Sequence, residues 1–140
     1  MTLIRSLTED DADAVVRLSR QLGYAITPSV QAAVIDEIAD DAAFVAVDGG
    51  AVVGWVHAFR SVLLQTGPCA EIGGLVVDET RRGEGIGRSL VARVETWARS
   101  AGLEVVRVRS NITRERAHEF YEELGYEVEK TSFTFRKELT

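Results

Sequence analysis

The sequence is poor in the residues that build disulfides and transition-metal sites. Its 140 residues include one cysteine, Cys69, and two histidines, His57 and His118. A lone cysteine cannot form an internal disulfide, and two scattered histidines do not make a familiar metal motif. We therefore expect neither a disulfide framework nor a bound metal. Cys69 is interpreted as inert packing, because no neighbour in the sequence would activate its thiol.

Long apolar runs and an excess of basic charge are also missing. No apolar stretch approaches the ~20 residues of a membrane span, and residues 1–5 lack the apolar core of a signal peptide. With 16 basic and 22 acidic residues, the formal net charge is −6. This balance argues against broad neutralisation of nucleic-acid phosphates. We expect a cytoplasmic protein that binds neither a membrane nor nucleic acid.

Hydrophobic periodicity predicts a mixed α/β fold in one domain over residues 1–140. The predicted order is β-α-α-β-β-β-α-β-α-β, with helices flanking a largely antiparallel sheet. The pair Gly73 and Gly74 interrupts the fourth strand and predicts a bulge or a close backbone approach. Strands are predicted at 2–6, 43–47, 51–64, 69–77, 105–108 and 131–137, and helices at 9–22, 28–38, 86–101 and 117–124.

The most informative segment is the glycine-rich turn in residues 75–90. A strand leads into this turn, and the turn opens directly into a helix. Glycines let the backbone approach a ligand with no Cβ in the way, and the free N–H groups of a first helical turn favour an anion. The pattern predicts a phosphate or pyrophosphate cradle with charge-assisted donors nearby. The residues concerned are Gly83, Gly85 and Gly87, with Arg81, Arg82 and Arg88.

Two familiar nucleotide motifs do not fit this turn. A Walker loop needs a lysine followed by serine or threonine after its last glycine, and neither the lysine nor the spacing is present. The dinucleotide-binding fingerprint needs a third glycine where this chain has Leu90, and its βαβ context is missing. Both nucleotide interpretations are therefore excluded.

The motif Arg82-x-x-Gly85-x-Gly87 matches the acetyl-CoA signature (Gln or Arg)-x-x-Gly-x-(Gly or Ala). A second block, from Ser110 to Tyr126, resembles the late helix of the same family, with Tyr126 in place of the more usual phenylalanine. With a matching strand order over nearly the whole chain, the sequence resembles the GNAT superfamily of acyl-CoA-dependent N-acetyltransferases. The second block is similar to that of aminoalkylphosphonate N-acetyltransferases.

This resemblance implies acetyl-CoA as co-substrate and a set of residues that hold it. In the family, the strand before the turn splays away from its neighbour, and the pantetheine arm pairs with the exposed backbone. One of its N–H groups would also polarise the thioester carbonyl. The strand residues implied are Leu75, Val76 and Val77; the pyrophosphate would be held by Arg82, Gly83, Glu84, Gly85, Ile86, Gly87 and Arg88; Asn111 would contact the cofactor arm.

The resemblance also implies catalytic candidates for acyl transfer to an amine by direct attack in a ternary complex. Glu71 precedes Arg82 by eleven residues, where one branch of the family carries its catalytic glutamate. It is the candidate base for an amine that is mostly protonated at neutral pH. Tyr121 occupies the family's late tyrosine position and is the candidate acid for the departing thiolate.

Each candidate also has a structural interpretation. Glu71 could be a solvated strand residue or form a bridge to an arginine, and Tyr121 could be a half-buried core tyrosine. His57 could line an acceptor pocket or be a hydrogen-bonded sheet histidine, whereas His118 is more often structural in such a position. The pair Arg107/Arg109 could be solvated surface or a site for the cofactor's 3′-phosphate.

The sequence thus favours an N-acetyltransferase acting on a small-molecule primary amine. A catalytically silent acyl-CoA-binding sensor and a protein or peptide N-acetyltransferase are the alternatives. The acceptor is not encoded by any motif; its specificity is expected from residues 23–26, 55–60 and 62–68. Family members often form homodimers, for which the apolar strand at 131–137 would offer a seam.

Overall fold

The computed structural model describes residues 2–110 and 115–140. Contacts divide the chain into one compact unit up to Val108 and a second from Arg109 onward. The single domain remains a prediction. The strands are β1 (Thr2–Ser6), β2 (Ala42–Asp48), β3 (Ala51–Leu63), β4 (Gly67–Val77) and β5 (Val106–Val108). The helices are α1 (Ala12–Arg20), α2 (Pro28–Glu37), α3 (Ile86–Ser100) and α4 (Glu115–Glu123), with single 3₁₀ turns at Glu9–Asp11 and Glu79–Arg81.

The five strands of the described chain form one sheet in the order β1-β2-β3-β4-β5. The first three pairings are antiparallel, and β4 pairs with β5 in parallel. The β2–β3 hairpin turns at Gly49 and Gly50, whose φ angles of 59° and 83° lie in the left-handed region. The mixed α/β fold with a largely antiparallel sheet is therefore confirmed.

Both faces of the sheet carry buried apolar side chains. On one face α3 packs on the sheet, and a β-carbon at Gly54 of β3 would lie 3.2 Å from side-chain atoms of Ile86 and Leu90. On the other face, Leu18 of α1 belongs to a buried cluster with Val45 and Val76 of the sheet, and Trp55 packs against that cluster. Side chains alternate along a strand, so Trp55, and two residues further His57, lie on the α1 face.

The predicted bulge lies in β4. His57 pairs with Gly74 and Ala58 pairs with Ile72, so Gly73 is an additional residue on β4. A β-carbon at position 73 would lie 3.2 Å from Cε1 of Phe59, and one at position 74 would lie 2.7 Å from Cη2 of Trp55. The two glycines thus let the β3 aromatic rings lie close over the β4 backbone.

The prediction of a last strand at 131–137 is wrong. Residues 126–140, all of them described, form no helix or strand. Phe133 and Phe135, whose alternation suggested the strand, are 87% and 91% exposed. Alternation predicts a strand only where one face is buried and the backbone pairs with a neighbour, and neither condition holds here.

Three negative findings apply to the residues that the structure describes. None of their helices has both the length and the apolar character needed to cross a bilayer. No group of three or more histidine, cysteine, aspartate or glutamate side chains in these residues is arranged to hold a metal ion. Cys69 is buried and not part of a disulfide.

Candidate active site

The second half of β4 has an open edge within the first unit. β5 pairs with β4 only at Ala70–Ile72, whereas β3 pairs with β4 as far as Val77. The backbone of Leu75–Val77 is therefore bonded to a strand on one side and is not covered by β5 on the other. This is the geometry in which an extended ligand can add its own hydrogen bonds to a sheet edge.

A short turn connects this open edge to α3. Asp78 starts it by accepting hydrogen bonds from the backbone N–H of Thr80 at 3.0 Å and from its hydroxyl at 2.9 Å. These bonds, the backbone bond first, hold the pKa of Asp78 below its ordinary value. Gly83 and Gly85 then adopt left-handed φ angles of 83° and 82°, a conformation that side chains with a Cβ disfavour.

The N-terminus of α3 is available to an anion. Gly85 is its N-cap residue and supplies no side-chain cap, so the first amides of the helix gain no partner from it. Ser89 bonds the carbonyl oxygen of Gly85 with its N–H at 3.1 Å and with its hydroxyl at 3.0 Å, which fixes the first turn. The uncapped amides at the positive end of a 15-residue helix suit a phosphate group.

Arg81 holds the turn in place. Its Nε donates to both carboxylate oxygens of Glu84 at 3.0 and 3.1 Å, and one of its terminal nitrogens donates to Asp48 at the end of β2. These contacts raise the pKa of Arg81, Glu84 being the larger cause, and Arg81 in turn lowers the pKa of Asp48. Arg81 is one of the three arginines predicted to donate to phosphate, and in the structure its guanidinium connects the turn to the β2–β3 hairpin.

The remaining side chains of the turn divide into two groups. Arg82 and Arg88 are exposed and form no ion pair with any other described residue, so their guanidinium groups can reach a ligand. Ile86 is buried over Gly54, and the carboxylate of Glu84 is bonded to Arg81. For Ile86 and Glu84, only the main chain is left to contact a cofactor.

Glu71 lies on the α1 face of β4, upstream of the open edge. It pairs with Phe59 of β3 and with Arg107 of β5, and it is half-buried. Within the described parts of the chain its carboxylate forms no hydrogen bond or ion pair. The bridge to an arginine that the sequence left open is therefore not formed by these residues, although Arg107 pairs with Glu71 in register.

His57 lies on the same face of the sheet as Glu71 and pairs with a carboxylate, that of Asp41. Nε2 of His57 lies 2.9 Å from Oδ2 of Asp41, and both side chains are partly buried. The imidazole also packs against Phe59, with ring centroids 5.7 Å apart. The sequence indicated His57 but not Asp41, because sixteen residues separate the two and no motif connects them.

Two candidates from the second half of the sequence fall outside this first unit. Tyr121 lies in α4 and is half-buried, with its ring edge-on to Phe120 at 5.0 Å and to Tyr126 at 5.8 Å between centroids. Asn111 lies outside the described residues. The roles of both remain predictions.

A cavity of about 470 Å³ lies among β1, β2, α2 and α3, and Asp41 is one of the residues that border it. Arg93, whose guanidinium lies 4.9 Å from the ring centroid of Phe44, borders it together with Trp97. None of the predicted catalytic or cofactor residues borders this cavity.

Comparison with known proteins identifies the family of the chain. Residues 9–126 match the model of the acetyltransferase (GNAT) family. The chain belongs to this family. Acetyl-CoA is the acyl donor of GNAT acetyltransferases, and the open β4 edge, the uncapped α3 N-terminus and the exposed Arg82 and Arg88 suit its pantetheine arm and pyrophosphate.

Two curated GNAT relatives align with part of the chain. The aminoalkylphosphonate N-acetyltransferase of Salmonella typhimurium is 38% identical over 95 residues, which cover 67% of this chain and 60% of the relative. The uncharacterised N-acetyltransferase YhdJ of Bacillus subtilis is 34% identical over 82 residues, covering 58% and 48%. The matched regions thus span about half to three fifths of these relatives.

Solved structures share the fold over almost the full length. The aminoglycoside acetyltransferase AAC(6')-Iy, solved with a CoA-linked bisubstrate analogue, has a TM-score of 0.86 and covers 99% of each chain at 20% identity. At this identity the likeness shows the GNAT fold alone.

Proposed function

We propose that the protein transfers the acetyl group of acetyl-CoA to the primary amine of a small molecule, by direct attack in a ternary complex. The observation that carries the proposal is that one strand, β4, has both a backbone edge at Leu75–Val77 that is open within the first unit and a carboxylate, that of Glu71, with no partner among the described residues. A thioester bound along that edge and an amine bound near Glu71 would be held close together. Such proximity supplies a large part of the rate in bimolecular reactions.

The proposed chemistry assigns one role to each group. Glu71 accepts a proton from the acceptor's ammonium, and the freed lone pair attacks the thioester carbonyl carbon. A main-chain N–H of Leu75, Val76 or Val77 stabilises the oxyanion that forms. The attack forms the C–N bond. When the tetrahedral intermediate collapses, its C–S bond breaks and Tyr121 donates a proton to the departing thiolate, while the second proton of the nitrogen passes to solvent, from which Tyr121 is reprotonated.

The cofactor contacts follow from the site. The amides from Gly83 to Arg88 and the side chains of Arg82 and Arg88 bind the pyrophosphate. We also propose that Asn111 contacts the cofactor arm, as the family resemblance implies. The names of two similar proteins, one an aminoalkylphosphonate and one an aminoglycoside acetyltransferase, support a small-molecule amine as acceptor. Homodimerisation and a cytoplasmic location remain predictions of the sequence.

The proposal is tested by measuring thiol release from acetyl-CoA with a panel of amines. The panel contains an aminoalkylphosphonate, an amino sugar, a polyamine and a peptide with a free N-terminus, with a no-amine reaction as control for hydrolysis. We expect at least one small amine to stimulate release, and its N-acetyl product to appear by mass spectrometry. Tight binding of acetyl-CoA with no amine-dependent release would instead favour a silent sensor, and acetylation of the peptide alone a protein acetyltransferase.

A further inference from the structure

The glycine-rich turn between β4 and α3 is held at its start by the C-terminal end of α1. Gln21 is the C-cap residue of α1, and its side-chain Oε1 accepts a hydrogen bond from the backbone N–H of Glu79 at 2.9 Å. Glu79 is the second residue after Val77, the last residue of β4. A side chain 58 residues away in the sequence thus fixes the backbone where the strand becomes the turn.

Arg17 adds a second contact from the same helix. It lies one helical turn before Gln21, on the same side of α1. One of its terminal nitrogens donates to the carbonyl oxygen of Val52 at 3.1 Å, and the other lies 3.9 Å from a carboxylate oxygen of Asp78. After the bonds from Thr80, a side-chain hydrogen bond from Gln21 is a further cause of the lowered pKa of Asp78. α1 therefore contacts both of the residues that follow β4.

These contacts lie between the two parts of the proposed cofactor site. The open edge at Leu75–Val77 ends directly before Asp78, and the amides from Gly83 to Arg88 follow a few residues after Glu79. An extended ligand that binds both parts at once needs them at a fixed separation. The hydrogen bond from Glu79 to Gln21 holds the backbone between them.

We propose that Gln21 is a positioning residue for acetyl-CoA: it holds the start of the turn so that the open β4 edge and the α3 N-terminus bind the pantetheine arm and the pyrophosphate together. This inference rests on the cofactor contacts proposed above, and Gln21 acts through the backbone of Glu79. Ordering a binding site costs part of the binding free energy unless the site is already fixed. Loss of the bond should therefore weaken a ligand that spans both parts more than a ligand that occupies one.

The first experiment compares Gln21→Leu with Gln31→Leu by calorimetry. Both replace a half-buried glutamine with an apolar side chain of similar size, but the side chain of Gln31 forms no hydrogen bond with the described residues. We expect the Kd of acetyl-CoA to rise roughly 3–10-fold in Gln21→Leu, as for the loss of one hydrogen bond, and to stay at the wild-type value in Gln31→Leu. ADP, which carries a pyrophosphate and no pantetheine arm, should bind Gln21→Leu and the wild-type protein with nearly the same Kd.

The second experiment removes the donor of the same bond with Glu79→Pro. Proline has no N–H and is tolerated at the first position of a helix, which is where Glu79 lies in its 3₁₀ turn. Asp78, the preceding residue, has a ψ of 127°, an angle that the residue before a proline favours. We expect Glu79→Pro to raise the Kd of acetyl-CoA as Gln21→Leu does, and the double variant to show no further rise. Glu79→Ala keeps the N–H and loses only the exposed side chain, so it should bind acetyl-CoA like the wild-type protein.

Three results would overturn the inference. Gln21→Leu could lower only the melting temperature and leave the Kd of acetyl-CoA unchanged, which would make Gln21 a purely structural residue. An equal rise for ADP would show that Gln21 orders the pyrophosphate site alone, and additive effects in the double variant would show that the bond is not the cause. None of these results affects the proposed function, which fails if the wild-type protein does not bind acetyl-CoA or acetylates no amine.

Discussion

The indole of Trp55 packs directly against the backbone of Gly74: a β-carbon at position 74 would lie 2.7 Å from Cη2 and 2.9 Å from Cζ3 of the ring. Contacts this short do not occur between real side chains and a β-carbon. Trp55 also packs against the buried cluster under α1, so its ring cannot move without disturbing that cluster. The glycine at 74 is therefore required by packing, and it keeps the bulge of β4 close to β3.

We predict that Gly74→Ala lowers the free energy of unfolding by about 1–3 kcal/mol, the usual cost of overpacking. Urea denaturation measures the change. A double-mutant cycle with Trp55→Leu identifies its cause, because removing the indole removes the contact. In that background Gly74→Ala should be close to neutral, since alanine costs less backbone entropy than glycine. An equal loss in both backgrounds would show that the indole is not responsible.

The glycine-rich turn between β4 and α3 gives a prediction on acetyl-CoA binding. Gly87 lies in the first turn of α3 and, unlike Gly83 and Gly85, has no positive φ. Gly87→Val should therefore leave the fold largely intact, but its side chain would block the close approach of the pyrophosphate to the backbone. We expect calorimetry to show loss of acetyl-CoA binding. Ala92→Val, at an exposed position of the same helix, is the matched control and should bind normally.

The pair Arg5 and Asp11 gives a prediction on stability. Two hydrogen bonds of 2.8 Å join the guanidinium of Arg5 to the buried Asp11, and they are the main reason that the pKa of Asp11 lies below its ordinary value of 3.8. A lowered carboxyl pKa contributes stability that is complete above the ordinary value and is lost as the pH falls through the folded-state value.

Asp11→Asn should therefore cost about 1–3 kcal/mol of unfolding free energy at pH 7 and show a weaker loss of stability below pH ~4 than the wild-type protein. Urea titrations between pH 2.5 and 7 measure both. Asp13→Asn, at an exposed position of α1, should behave as wild type. A full acid dependence retained in Asp11→Asn would assign that dependence to other carboxylates.

Local signals explain which parts of the fold could be predicted. Thr27 and Pro28 predicted the start of α2, and the structure has Thr27 as N-cap accepting a hydrogen bond from the N–H of Val30. The glycine turn of the β2–β3 hairpin and the bulge at Gly73 were predicted from equally local signals. In each case a few consecutive residues determine the backbone conformation.

Contacts between distant residues could not be predicted in this way. The pairing of His57 with Asp41 and of Arg81 with Asp48 depends on strand neighbours that the sequence does not specify atom by atom. Arg81 also bonds to Glu84, which lies only three residues further along the chain. This local contact could have been predicted from the spacing of the two residues. The strand predicted at 131–137 failed for the same reason, because pairing is not a property of one segment.

The proposed acid gives a prediction on turnover. Tyr121→Phe keeps the ring that packs edge-on with Phe120 and Tyr126 and removes only the hydroxyl. If Tyr121 protonates the thiolate, kcat should fall by roughly 10²–10⁴-fold, with acetyl-CoA affinity nearly unchanged. Tyr126→Phe is the matched control on the neighbouring ring and should retain turnover. An unaltered kcat in Tyr121→Phe would show that Tyr121 contributes to packing and not to proton donation.

The proposed base gives a prediction on the pH profile. Glu71→Gln keeps the shape of the side chain but cannot accept the proton of the ammonium. Turnover at neutral pH should fall, and part of it should return at alkaline pH, where free amine becomes available in solution. Glu104→Gln, an exposed carboxylate outside the sheet, is the matched control and should keep the wild-type profile.

Two further measurements separate a base from a charge that only attracts the substrate. An acceptor amine of low pKa is already largely unprotonated, so it should be less sensitive to Glu71→Gln if Glu71 removes a proton. A purely electrostatic Glu71 would instead raise the KM for cationic acceptors and leave the shape of the pH–rate profile unchanged. Measuring kcat and KM against pH with both amines distinguishes these outcomes, and an unchanged kcat with an identical profile would require the base to be another residue or water.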